Sequence, residues 1–107
     1  MKKNSSQRAK ACAITTEVKR RVAERDSIDG WPCCILCGSN QALPEAHFIP
    51  RSAGGLGIEE NIMTLCRPCH RQFDGADWET KEKLKNRVRE YFRSYYPEWN
   101  EEKLTWK

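Results

Sequence analysis

Six cysteines stand in this 107-residue sequence, and four of them form two pairs, Cys34-x-x-Cys37 and Cys66-x-x-Cys69. A two-residue gap presents both thiolates of a pair to one tetrahedral ion, so each pair supplies half of a four-cysteine structural zinc site. The same residues also read as four reduced thiols or as two disulfides. Paired CxxC motifs favour zinc where, as expected here, no apolar segment follows the basic N-terminus to make a secretory signal and the compartment is reducing. Cys33 adjoins the first pair and is placed to compete for the ion, but Cys34 keeps the two-residue gap; Cys12 has no partner in the pattern. The 28 residues between the pairs exceed a minimal zinc ribbon, so the staple encloses something else.

The enclosed stretch runs Glu45-Ala46-His47-Phe48-Ile49-Pro50-Arg51-Ser52, then Gly54-Gly55, Asn61, Leu65-Cys66-Arg67-Pro68-Cys69-His70 and Phe73-Asp74. On a helix Asp74 sits one turn beyond His70, so both side chains can face one ion. The succession resembles the HNH endonuclease family over about residues 33–75. The resemblance implies a ββα-metal fold, a β-hairpin followed by a helix around one divalent ion, and the hydrolysis of DNA phosphodiesters. That chemistry needs a base to activate water and a cation to stabilise the pentacoordinate phosphate and the leaving oxygen. The resemblance puts the general base at His47, an orienting asparagine at Asn61 and a metal ligand at His70. Colicin-like relatives also ligate at the position of Asp74. Mg²⁺, Mn²⁺ or another divalent cation would serve catalysis, apart from the structural zinc. Many family members carry Asp or His directly before the base, where this chain has Ala46. Glu45, which shares a strand face with His47 by the period of two, is the residue left to reach the ion directly or through water.

DNA is the implied partner. Residues 1–28 hold eight Lys/Arg against three acids, a net +5, where the whole chain carries +4. A basic end on a near-neutral body suits phosphate contact, although a solvated tail explains it too. Lys19, Arg20, Arg51, Arg67 and Arg71 are the side chains expected on DNA. The flanks, VKRRVAERD and a Tyr/Trp-rich helix, resemble those of small phage-type HNH proteins, which implies DNA packaging or another DNA-processing partner.

The elements that must position these residues follow from pattern. The expected fold class is α+β, a zinc-stapled ββα-metal core with flanking N- and C-terminal helices. Residues 1–13 read as a disordered basic arm and 14–107 as a single domain. Thr15 or Thr16 caps a helix to about Asp26. Asp29-Gly30 marks a turn within Ser27–Pro32. Strands are expected at Leu43–Ile49 and Ile62–Leu65, with a glycine-rich loop from Arg51 to Gly57 between them and a helix opening at the second CxxC. Leu84, Val88, Tyr91, Phe92 and Tyr95 recur at helical spacing, predicting a helix over 79–95 that Pro97 stops. Trp99, Leu104 and Trp106 are expected to fold back, and most of the four tryptophans to fill a thin core.

No stretch approaches the length of a membrane span, and a reducing cytoplasm is the expected compartment. Two rivals to a nuclease share these features. A catalytically inactive zinc-stapled DNA-binding or scaffolding module of the same fold is favoured by Ala46. A redox or zinc sensor explains the cysteines but leaves the spacing of His47, Asn61 and His70 to coincidence.

Overall fold

The computed structural model describes residues 5–107, so Lys2 and Lys3 of the expected arm lie outside them. The chain begins with helix α1, Ser5–Cys12, where the sequence predicts an unstructured arm. This polar segment has almost no apolar stripe of its own, and its anchorage is tertiary. Cys12 is buried, Ala11 O accepts from Gly57 N at 2.9 Å, and the Arg8 guanidinium donates to the carbonyls of Arg51 and Ser52 at 3.3 and 3.4 Å. Helix α2, Thr16–Arg25, starts where expected, with Thr15 Oγ1 accepting from Val18 N at 3.1 Å. Such a cap satisfies one of the amides that the first turn leaves unpaired. Asp29-Gly30 then closes a short antiparallel hairpin of β1, Ser27–Ile28, and β2, Trp31–Pro32.

The central hairpin pairs β3, Ala42–His47, with β4, Ile62–Cys66. Leu43 faces Leu65 and His47 faces Ile62, but the register slips by one residue between Leu43 and Ala46. Pro44 and Glu45 therefore oppose Thr64 together, a bulge at a proline that has no N–H to offer the ladder. Helix α3, Arg67–Gly75, follows β4 without a loop, and Asp77 caps helix α4, Trp78–Tyr95, by accepting from Thr80 N at 2.8 Å. The architecture is α+β, as the sequence predicts. Among the described residues no helix is long and apolar enough to cross a membrane.

The core lies between the central hairpin, α3 and α4, built from Ala46, Phe48, Met63, Leu65, Phe73, Val88, Phe92 and Leu104. The C-terminal segment folds back as expected: Leu104 is buried, and Trp99 stacks on Phe92 with centroids 5.4 Å apart. Trp31 and Trp78 depart from the expected filling role and stay 66% and 78% exposed. The slack is taken up by a buried ion pair. The Arg25 and Asp26 side chains, 6% and 0% exposed, bond at 2.7 Å. Arg25 also donates to the carbonyls of Glu59 and Ile62, each at 2.7 Å, and Asp26 accepts from Thr64 N and the Tyr91 hydroxyl. With every polar group partnered, the pair ties α2 to β4 and α4 at a tolerable desolvation cost. One cation counted in the basic N-terminal excess is thus spent inside the fold.

Candidate functional site

The four paired cysteines converge. Their sulfurs all lie within 4.8 Å of one another, and Cys37 Sγ is 3.5 Å from Cys66 Sγ. Thiolates about 2.3 Å from a tetrahedral ion sit ~3.8 Å apart, so the cluster fits one zinc-sized ion. The knuckle before β3 brings Cys34 and Cys37; the end of β4 and the first turn of α3 bring Cys66 and Cys69. Burial pushes the Cys34 thiol up, but hydrogen bonds from the backbone of Cys66, Cys37 and Leu36 more than offset this and lower it to about 7. Burial, then the neighbouring sulfurs, push Cys69 up, and burial pushes Cys66 up. A cation bound by these sulfurs would take them as thiolates, so metal loading should release protons. Cys33 is buried away from the cluster, its thiol donating to Trp31 O at 3.3 Å.

His47 ends β3 and is half-buried. Its Nε2 lies 3.0 Å from Cys12 O, at the end of α1. A carbonyl can only accept, so Nε2 carries the proton and Nδ1 is left as the basic nitrogen of a neutral ring. Burial is the largest cause and depresses the pKa of His47; the Cys12 carbonyl opposes it, and the charges of Arg51 and His70 lower it further by smaller amounts. His47 lines a cleft of about 120 Å³ together with Asp74, Lys81 and Lys85.

On α3, His70 Nε2 lies 3.3 Å from Asp74 Oδ2. Two ligands each about 2.0–2.2 Å from one ion sit roughly 3 Å apart, so this pair can chelate a single divalent cation. Glu45 does not join them. The bulge turns it toward α2, where it pairs with Lys19 at 3.8 Å. It lines one groove with Cys37, Arg67 and His70, distinct from the cleft of His47 and Asp74. Ala46 is buried among core side chains, where its methyl packs.

Asn61 is fully buried, and its side chain bonds the loop after His47 rather than the imidazole. Its Oδ1 accepts from Ile49 N at 2.9 Å, and its Nδ2 donates to Leu56 O at 2.8 Å and Ile49 O at 3.2 Å. It therefore clamps the loop that follows the histidine. Glycine is required inside that loop: a Cβ on Gly55 would lie 1.6 Å from Ile49 O, and one on Gly57 would lie 2.0 Å from Ala13 O. The second contact lets the end of α1 reach His47. Asn61→Ala leaves buried backbone groups unpaired and should cost on the order of 3 kcal/mol in urea unfolding, with the cysteine cluster still loading metal. An unchanged midpoint would refute the clamp.

The expected DNA contacts divide. Lys19 is paired with Glu45, and Arg20 with Glu17 and Glu24. Arg51, Arg67 and Arg71 are exposed and, among the described residues, have no acidic partner. Sequence reasoning missed three contributors: the Cys12 carbonyl, which no side-chain pattern can announce, and Lys81 and Lys85, whose four-residue spacing looks like any solvated helix face.

A model of the HNH endonuclease family matches residues 34–92, more than half of the chain. The stretch includes all four clustered cysteines, the central hairpin, α3 and most of α4. A protein named anaredoxin from Nostoc sp. (strain PCC 7120) is 32% identical over 47 residues, 44% of this chain and 62% of that protein. The chain thus matches less than two thirds of that relative's length. No solved structure gives a match. The matched span covers Cys34, His47, Asn61 and the Cys66-x-x-Cys69-His70 turn, and the chain belongs to the HNH endonuclease family.

Proposed function

We propose that this chain is a metal-dependent DNA endonuclease with His47 as general base. The observation that carries the reading is the environment of that ring: Nε2 is engaged by Cys12 O, and the residue lines the cleft of Asp74. Nδ1 takes a proton from water as the water oxygen bonds to phosphorus. The phosphorus–oxygen bond to the leaving group breaks, and the leaving oxygen takes a proton from solvent. A phosphomonoester and an alcohol result. His70 and Asp74 would hold a divalent ion, Mg²⁺ or Mn²⁺, which supplies Lewis-acid stabilisation of the developing negative charge. Asn61 keeps the loop after the base in place. Cys34, Cys37, Cys66 and Cys69 would hold a structural zinc ion. Arg51, Arg67 and Arg71 are the proposed phosphate contacts, with Lys19 and Arg20 available after exchanging their carboxylate partners for DNA.

The buried Ala46 favours a second reading, a DNA-binding or scaffolding module without catalysis. Plasmid nicking separates the two. A hard ion on one histidine and one carboxylate exchanges readily, whereas a thiolate zinc does not. Mild EDTA should therefore stop cleavage and leave the circular dichroism unchanged, and added Mg²⁺ or Mn²⁺ should restore it. Intact plasmid with every divalent ion tried would establish the second reading.

A further inference from the structure

Lys81 and Lys85 come from α4, outside the ββα unit, yet both line the cleft of His47 and Asp74 together with Phe48, Pro50 and Phe73. Their placement follows from local structure. Asp77 caps α4 through Thr80 N at 2.8 Å, which fixes where the helix begins. The first exposed turn then ends at Lys81, and Lys85 follows one turn later on the same face. Lys81 Nζ donates to Asp74 O at 3.2 Å, so one ammonium is held at the cleft by a neutral carbonyl. Both lysines are half-buried. Among the described residues no carboxylate lies within 4 Å of either ammonium. The one acid in the cleft, Asp74, is turned to His70 at 3.3 Å. Two like charges a helical turn apart oppose each other unless an anion joins them. The cleft thus sets two uncompensated cations beside a neutral, proton-accepting imidazole.

We propose that Lys81 and Lys85 form the seat for the phosphodiester that is cut, contacting its non-bridging oxygens. The proposal rests on the nuclease reading and deepens it. Both lysines supply charge alone and transfer no proton. The negative charge on the phosphate oxygens grows as water adds, so ammonium groups lining a half-buried cleft favour the transition state over the ground state. Lys83 is the internal control, since it is exposed on the same helix and does not line the cleft.

The test uses the full chain with its cysteine cluster loaded. In EDTA, which prevents cleavage, a short DNA duplex is titrated while the lysine side-chain resonances are followed by NMR. Lys81 and Lys85 should shift and Lys83 should not. Equal movement of all three, no movement, or shifts with inorganic phosphate but none with duplex would overturn the proposal. In cleavage assays Lys85→Ala should lose about 10²-fold in kcat, the scale of removing one preorganised donor, with little change in duplex affinity. Lys85→Arg should recover most of that loss, and Lys83→Ala should behave as wild type. Lys85→Ala cleaving at the wild-type rate would also overturn it. Should the wild-type chain prove inert, the nuclease reading fails by itself, and the titration still decides whether the cleft seats a DNA phosphate.

Discussion

Replacing any one of Cys34, Cys37, Cys66 or Cys69 by Ser is expected to remove bound metal and cooperative folding together. The four sulfurs join the knuckle before β3 to the end of β4 and the first turn of α3, beside a single backbone bond from Ile35 N to Thr64 O at 3.0 Å, and their mutual distances already suit a single ion. The remaining core is thin. Its largest fully buried side chains include Phe92, Ile62, Met63 and Leu104, and part of the interior is given to the Arg25–Asp26 pair. Domains of this size hold a net stability of about 5–15 kcal/mol. Structural zinc binding in small domains contributes apparent free energies of about 10–16 kcal/mol, and that binding energy is folding energy. Losing a ligand therefore consumes most or all of the margin. The measurement is metal content per chain beside a thermal melt. A variant that binds no metal yet melts at the wild-type temperature would show that the hairpin and helices hold without the staple. Cys33→Ser is the control: its thiol bonds Trp31 O rather than the cluster, so metal content should stay as in wild type.

The parts of this fold that were legible in the sequence are those specified by local chemistry. Thr15 caps α2, Asp29-Gly30 turns a hairpin, and the stripe around Val88 and Phe92 buries one face of α4, because capping, turn geometry and amphipathic spacing act over a few residues. The cysteine cluster was legible because a two-residue gap carries its own geometry. Helix α1 was not, since what holds Ser5–Cys12 lies far along the chain, at Gly57, Arg51 and Ser52. The bulge at Pro44–Glu45 was not legible either. Period-two alternation places Glu45 with His47, and only the pairing with β4 shows the slip that sends it to Lys19. Asn61 illustrates a middle case. Its position matches the motif, but its partners are three backbone groups of one loop, and such a role has no side-chain signature.

His47→Ala is expected to lower the cleavage rate by about 10²–10⁴-fold, the usual cost of removing a general base, while metal content and DNA affinity stay near wild type. His47→Gln gives the sharper comparison. Glutamine keeps an N–H able to donate toward Cys12 O but has no basic nitrogen. If His47 served only to fasten the end of α1 through its 3.0 Å bond, Gln would preserve activity. If Nδ1 accepts the proton, Gln should be as inactive as Ala. The pH dependence adds a second constraint. Burial is the main cause that holds the His47 pKa below the ordinary 6.5, helped by the charges of Arg51 and His70. The neutral, proton-accepting form therefore persists to lower pH, and the acid limb of kcat/KM should fall below pH 6.5. Arg51→Ala removes one of the charges that disfavour protonation, so it should move that limb upward. A profile with no acid limb near the histidine range, or a Gln variant that cleaves at the wild-type rate, would take the base away from His47. Equal inertness of wild type and both variants on every DNA and ion tried would instead leave a metal-stapled binding module whose histidine holds α1 against the central hairpin.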